Sequence, residues 1–145
     1  MLVGQGPLKN DLRSLVAREK LDNISFLPAV SKMNVTSILN FFDVCYIGLD
    51  RKPLFRFGVS PNKMFDYMMA AKPIINAIDA GNDLVAESGC GVSVPPENPQ
   101  AIVDAVLYLF KLSKEARDVM GKRGQDYVKT HLHYGVLSNK LLESL

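Results

Sequence analysis

The stretch Ser60-Pro61-Asn62-Lys63-Met64-Phe65-Asp66-Tyr67 concentrates polar and charged groups where a helix should begin. Serine is a common N-cap and proline suits the first helical position, so Ser60 is expected to cap and Pro61 to start the helix. A helix N-terminus carries roughly half a positive charge and free N–H donors. Lys63 adds a full cation within that first turn, where helices prefer Asp or Glu, and the misfit points to an external anion. Asp66, three residues on, shares a helix face with Lys63. A cation for a diphosphate and a carboxylate for sugar hydroxyls together suit a nucleoside diphosphate. The same two residues could equally be a surface pair worth about 0.2–0.5 kcal/mol. On chemistry alone the two alternatives balance.

A second candidate is Gly4-Gln5-Gly6-Pro7, a tight turn between an apolar run and a helix. Glycines let backbone approach a ligand closely, and the following helix offers N–H groups to an anion. Short Gly-x-Gly patterns are common, and a turn needing positive φ explains them as well. Arg51, Lys52 and Arg56 form a basic loop ahead of the Ser-Pro-Asn-Lys stretch. It could meet a phosphate or an anionic lipid, or be a solvated loop. Attraction to an anionic leaflet of about 1 kcal/mol per basic residue would assist such an encounter without anchoring it. His131 and His133 lie two apart, off a common helix face, and read as a solvated terminus rather than metal ligands. Cys45 and Cys90 have no Cys-x-x-Cys spacing, so neither zinc nor a disulfide is expected. Met68-Met69 and Phe41-Phe42 are expected in the core.

Short apolar runs alternating with amphipathic segments must position these groups. Strands are expected at Met1–Gly4, Ile24–Leu27, Val44–Leu49, Pro73–Ala77 and Gly91–Val94. Val44–Leu49 is apolar throughout, as a parallel strand buried on both faces should be. Helices are expected from Gly6-Pro7, carrying Leu8, Leu12, Leu15 and Val16, and from Ser31, carrying Val35, Ile38, Leu39 and Phe42. Gly81 to Ser88 should be a short helix closed by Gly89. Asn98-Pro99 should open another with Ile102, Val103, Val106, Leu107 and Phe110 on its buried face. A last helical region should run from Ser113 to about Leu142, weakened at Gly121, Gly124 and Gly135. Alternation of this kind implies a Rossmann-like α/β fold, a parallel sheet with helices on both faces.

Composition narrows the setting. The chain has 145 residues, 48% hydrophobic and 22% charged, which excludes a disordered or coiled-coil protein. Seventeen Lys and Arg against fifteen Asp and Glu are dispersed along the chain, so a nucleic-acid partner is not expected. No apolar run approaches the roughly 18 residues of a membrane span, and no signal peptide is expected. A cytoplasmic protein, at most peripheral at the inner membrane face, is the expectation.

In order, Gly4-Gln5-Gly6-Pro7, Asn23-Ile24-Ser25-Phe26-Leu27, Ser60-Pro61-Asn62-Lys63 with Phe65-Asp66-Tyr67-Met68, and Lys72-Pro73-Ile74-Ile75 resemble a known family. It is the glycosyltransferase family 4 (group 1) enzymes of GT-B fold, and the similarity is to their C-terminal, donor-binding domain. It extends over nearly the whole chain, including Gly91 to Pro95 and the helices from about residue 113. The resemblance implies a retaining transferase that moves a sugar from a nucleotide diphosphate donor, most often a UDP-sugar, in cell-surface polysaccharide or glycoconjugate assembly. By motif position Lys63 would contact the diphosphate and Asp66 the ribose. Gly4 and Gly6 would line the donor loop, and backbone at Phe26, Leu27 and Pro28 the base. Ser60, Pro61 and Asn62 would surround the donor sugar or phosphates. No cofactor or metal is implied, and no Asp-x-Asp sequence occurs.

The sequence departs from the family at several points. Two glutamates usually stand with seven residues between them; here those positions hold Gly58 and Asp66. Ala71 replaces a helix-ending glycine, which should cost about 1 kcal/mol if its φ is positive. The N-terminal acceptor domain and the donor domain's first strand and helix have no counterpart. The chain is therefore expected to be a fragment, inactive alone, whose natural partners are the missing domain, a nucleotide-sugar and a lipid-linked acceptor. If the family's strand order holds, a gap should separate Met1–Gly4 from Val44–Leu49. A GT-B-like nucleotide-sugar epimerase and a non-catalytic nucleotide-binding module are the alternatives.

Overall fold

The computed structural model describes residues 1–143 and divides into two compact units, Met1–Val35 and the chain from Thr36 onward. The first unit is a single βαβ turn: β1 (Leu2–Val3), α1 (Lys9–Arg18) and β2 (Phe26–Leu27), with β1 parallel to β2. Its helix begins two residues later than Pro7 suggests. The Lys9 N–H bonds the Gly6 carbonyl at 3.1 Å, so Pro7 sits inside a β-turn ahead of the helix. Leu8, Leu12 and Leu15 hold helical spacing but stay substantially exposed, and no side chain of this unit is fully buried.

The second unit carries the core. A one-turn helix at Lys32–Asn34, the end of the first unit, leads into α2 (Val35–Leu39). Ser31 precedes it in extended conformation, but its side chain makes no cap bond. Then follow β3 (Cys45–Gly48), a short 3-10 turn (Pro53–Phe57), α3 (Asn62–Met69) and β4 (Ile74–Ala77). α4 (Leu84–Ser88), β5 (Gly91–Ser93), α5 (Pro99–Lys111), α6 (Lys114–Tyr127) and α7 (Tyr134–Glu143) complete it. β3, β4 and β5 form a parallel sheet in that order, with Cys45 opposite Ile74 and Ile74 opposite Gly91. These pairings follow the expected order within each sheet, and β1 and β3 belong to different sheets.

Helices cover both faces of the larger sheet. On one, Ile47 and Ile74 pack with Met64 and Met68 of α3, Val85 of α4 and Cys90. On the other, Ile75 packs with Ala105 and Leu109 of α5. This placement corrects several expectations, among them the core positions given to Met69, 43% exposed, and Phe41, 84% exposed. β3 is not buried on both sides: α5 lies over β4, leaving Tyr46 on the edge strand 51% exposed. The buried face of α5 is Ala105 and Leu109, whereas Val103, Val106, Leu107 and Phe110 are exposed. Apolar residues encircle this helix, so spacing alone did not single out the inward stripe.

Helix ends obey local chemistry. Asn98 accepts the Ala101 N–H and Asp83 those of Val85 and Ala86, each capping its helix. Gly89 closes α4 at φ 64°. Ala71 ends α3 at φ 52°, with its N–H on the Met68 carbonyl and the Lys72 N–H on that of Tyr67. That is a Schellman closure holding alanine where glycine fits better. Ser113 caps α6, as expected. The long terminal helix breaks at a π turn (Val128–Leu132), not at Gly121 or Gly124. Both glycines are buried contacts: a Cβ on Gly121 would strike the Ala71 carbonyl, and one on Gly124 would lie 2.8 Å from the Cys90 Cβ.

Candidate functional site

The Ser-Pro-Asn-Lys stretch does open a helix, one residue later than predicted. Pro61 is the N-cap, at φ −71° and ψ 127°, and its carbonyl accepts the Met64 N–H at 2.9 Å. Ser60 therefore lies outside α3 and caps nothing. Proline has no side chain able to cap, so no side chain closes the N-terminus of α3. Asn62 and Lys63 are its first two residues, and both are exposed. Met64 and Met68 anchor the helix in the core, which turns Lys63 and Asp66 outward. The two do not form an ion pair. Among the described residues, the Lys63 ammonium has no hydrogen bond or salt bridge.

The loop that delivers this helix start is held from behind. Val59 donates its N–H to Asn82 Oδ1 at 2.8 Å, and Asn82 Nδ2 returns a bond to the Val59 carbonyl at 3.1 Å. Gly81 and Gly58 both donate their N–H groups to the Phe55 carbonyl, each at 2.8 Å. Gly58 has φ 98°, with the Asn82 Oδ1 3.2 Å from where a Cβ would be. Glycine at this position thus meets a backbone requirement. Beneath the loop, buried Asn76 donates to Asp83 Oδ1 at 3.1 Å, while its own Oδ1 has no protein partner. A cavity of about 10 Å³ separates Asn76 from Pro61 and Met64.

In the first unit, Gly4 adopts φ 149°, as a glycine turn would, while Gly6 has no positive φ. A Cβ at Gly6 would meet nothing within 4 Å. Lys9 Nζ donates to the carbonyls of Gly4 and Leu27, both at 2.8 Å, and to Gln5 at 3.3 Å. That ammonium ties together the carboxyl ends of β1 and β2. The Leu27 carbonyl also accepts the Gly4 N–H at 3.4 Å, and Pro28 has no N–H to donate. Phe26 is half-buried, with the Arg13 guanidinium 5.7 Å from its ring centre. A largely apolar cleft of about 320 Å³ lies against Gly4, Gly6, Leu12 and Phe26.

Sequence reading missed Lys9, Asn82 and Asn76. The helix expected from Gly81 starts at Leu84 behind the Asp83 cap, and Asn82 acts on backbone 23 residues earlier, which no local pattern reveals. Both cysteines are buried. Burial pushes the Cys45 thiol up to about 11, with Lys72 opposing weakly, and raises that of Cys90. His131 stacks on Tyr127, ring centres 4.5 Å apart, and His133 Nδ1 accepts the Gly135 N–H at 3.2 Å. Among the described residues no three His, Cys, Asp or Glu side chains cluster as metal ligands. None of the described helices is long and apolar enough to cross a membrane.

Parallel strands, helices on both sheet faces and an uncapped helix start define a Rossmann-like α/β protein with a candidate anion site. Residues 1–111 match the family of group 1 glycosyl transferases, and the chain belongs to it. The fold is similar to sucrose-phosphate synthase from Thermosynechococcus elongatus (TM-score 0.75, 19% identity, 99% of this chain and 38% of that one). It is also similar to Anabaena HepE in complex with UDP-glucose (TM-score 0.73, 18% identity, 99% of this chain and 40% of that one). The chain thus spans about two fifths of the length of these structures. No curated protein sequence matches it.

Proposed function

We propose that this chain is the donor-binding part of a retaining glycosyltransferase. The donor is a nucleotide diphosphate sugar of the UDP class, and the acceptor belongs to cell-surface polysaccharide or glycoconjugate assembly at the cytoplasmic face of a membrane. Lys63 carries the reading: a cation without a protein partner stands in the first turn of an uncapped helix held by a latched loop. There the helix dipole and the ammonium would act together on a departing diphosphate. Donors fixed before the reaction stabilise developing charge without reorganising, and so lower the barrier. Asp66, one turn along and equally exposed, would take ribose hydroxyls. HepE, which shares the fold, has been captured with UDP-glucose.

The acceptor site and any groups from a further domain are outside this chain, so alone it should transfer no sugar. Proximity and orientation can supply about 7–11 kcal/mol of catalysis, and here they would be lost. The test is calorimetric titration of wild type, Lys63→Ala and Asp66→Asn with UDP, uridine and 2′,3′-dideoxy-UDP. Lys63→Ala should weaken UDP by about 1.5–3 kcal/mol, the range for hydrogen bonds to charged groups, and spare uridine. Asp66→Asn should weaken UDP and spare the dideoxy analogue. Unchanged UDP affinity in Lys63→Ala would sink the diphosphate role.

A further inference from the structure

Among the described residues Asn76 is the one buried polar side chain, 3% exposed on the otherwise apolar strand β4. The orientation of its amide is set by its neighbour. Nδ2 donates to Asp83 Oδ1 at 3.1 Å, and reversing the amide would press two acceptor oxygens together. Oδ1 is therefore the atom left without a protein donor. Buried polar groups are almost always hydrogen-bonded, because an acceptor removed from water and left unpaired is costly.

Two further side chains beside Asn76 have bonding capacity to spare. Asp83 takes three donors on Oδ1: Asn76 Nδ2, the Val85 N–H and the Ala86 N–H. Its Oδ2 has no hydrogen bond or ion pair among the described residues. Asn82 Nδ2 spends one of its two hydrogens on the Val59 carbonyl and keeps the other. Asn76, Asn82 and Asp83 line the same cavity of about 10 Å³ behind Pro61 and Met64. That volume is the least that a single water needs, and such a water is held by two to four polar partners. Two acceptors and one donor suit a molecule that carries two hydrogens and a lone pair. A cation there would face the Asn82 N–H.

We propose that this cavity is a hydration site for one ordered water, which donates to Asn76 Oδ1 and Asp83 Oδ2 and accepts from Asn82 Nδ2. Since Asn82 latches Val59, the water joins β4, the cap of α4 and the latch into one network behind the start of α3. The assignment is independent of any ligand bound in front of that helix.

The experiment pairs a crystal structure of the 145-residue chain with water–protein cross-relaxation in solution. One density peak should lie about 2.6–3.0 Å from Asn76 Oδ1. Water should also give a cross peak to the Met64 side chain, whose protons do not exchange, with the sign of a bound, slowly leaving molecule. Asn76→Leu removes the acceptor at similar volume and should abolish both signals, with α5 amides at their wild-type positions showing that the variant is folded. If that variant does not fold, the two wild-type signals decide. A cavity without density, a cross peak with the sign of surface hydration, or a cross peak that persists in Asn76→Leu would overturn the proposal. So would several oxygens at about 2.3–2.6 Å from the peak, because those are metal-ion distances.

Discussion

Replacing Asn82 by alanine should free the loop that presents α3 while leaving the surrounding sheet intact. The side chain makes two bonds to one residue, at 2.8 and 3.1 Å, and both it and Val59 are half-buried. A typical hydrogen bond contributes about 0.5–1.5 kcal/mol net, and water can reach part of this loop, so the pair should be worth about 1.5–2 kcal/mol. The effect should appear as local opening, read from hydrogen exchange of the Val59 amide. At 1.4 kcal/mol per factor of ten, that amide should exchange roughly ten- to thirtyfold faster. The Gly58 and Gly81 amides, both bonded to the Phe55 carbonyl, should change far less. A Val59 rate within twofold of wild type would refute the latch. So would an equal acceleration at all amides of the second unit, because that would mean general destabilisation.

Ala71→Gly should stabilise the protein by about 0.5–1 kcal/mol. The αL penalty of alanine, about 1–2 kcal/mol, exceeds the extra unfolded-state freedom of glycine, about 0.4–1 kcal/mol; urea unfolding at constant slope checks it. Gly124→Ala should destabilise by about 1–3 kcal/mol through overpacking against Cys90, seen as a lower urea midpoint. Cys45 and Cys90 give a pH dependence whose sign is set by their raised thiol values. Well below about pH 8.5 both folded and unfolded chains keep these protons, so the stability is full. As pH rises toward 11 the unfolded chain ionises Cys45 while the folded one still holds the proton, and stability falls. Urea midpoints from pH 8 to 10.5 should show that decline, and maleimide should label both thiols readily only in urea.

The sequence and structure agree where cause and effect lie close along the chain. Asn98-Pro99 names its helix start because acceptor and proline are neighbours. Gly89 closes α4 because only a few residues decide it. Ser60-Pro61 has the same appearance and a different outcome. Its preceding loop is held extended by Asn82, so Ser60 stays outside the helix and Pro61 becomes the cap. The exposed Lys63–Asp66 face was legible, since Met64 and Met68 repeat at core spacing and force the neighbouring positions outward. Lys9 was not legible: it bonds carbonyls of two strands, one of them 18 residues away. Gly121 and Gly124 misled for a related reason. In a helix read alone glycine is a weak point, but here it is the space that Ala71 and Cys90 occupy.

The seat of α6 also bears on where this fold can be divided. The family match ends at residue 111, before the Ser113 cap. Yet Gly124 lies against Met68 and Cys90, Gly121 against Ala71, and Gln125 bonds the Met69 carbonyl at 2.8 Å. A boundary drawn at the end of the recognisable family sequence would uncover a sulfur-rich patch that includes the otherwise inaccessible Cys90. A chain cut there should expose a thiol open to oxidation and an apolar surface prone to self-association. The segment least marked by family sequence is thus the one that closes the core.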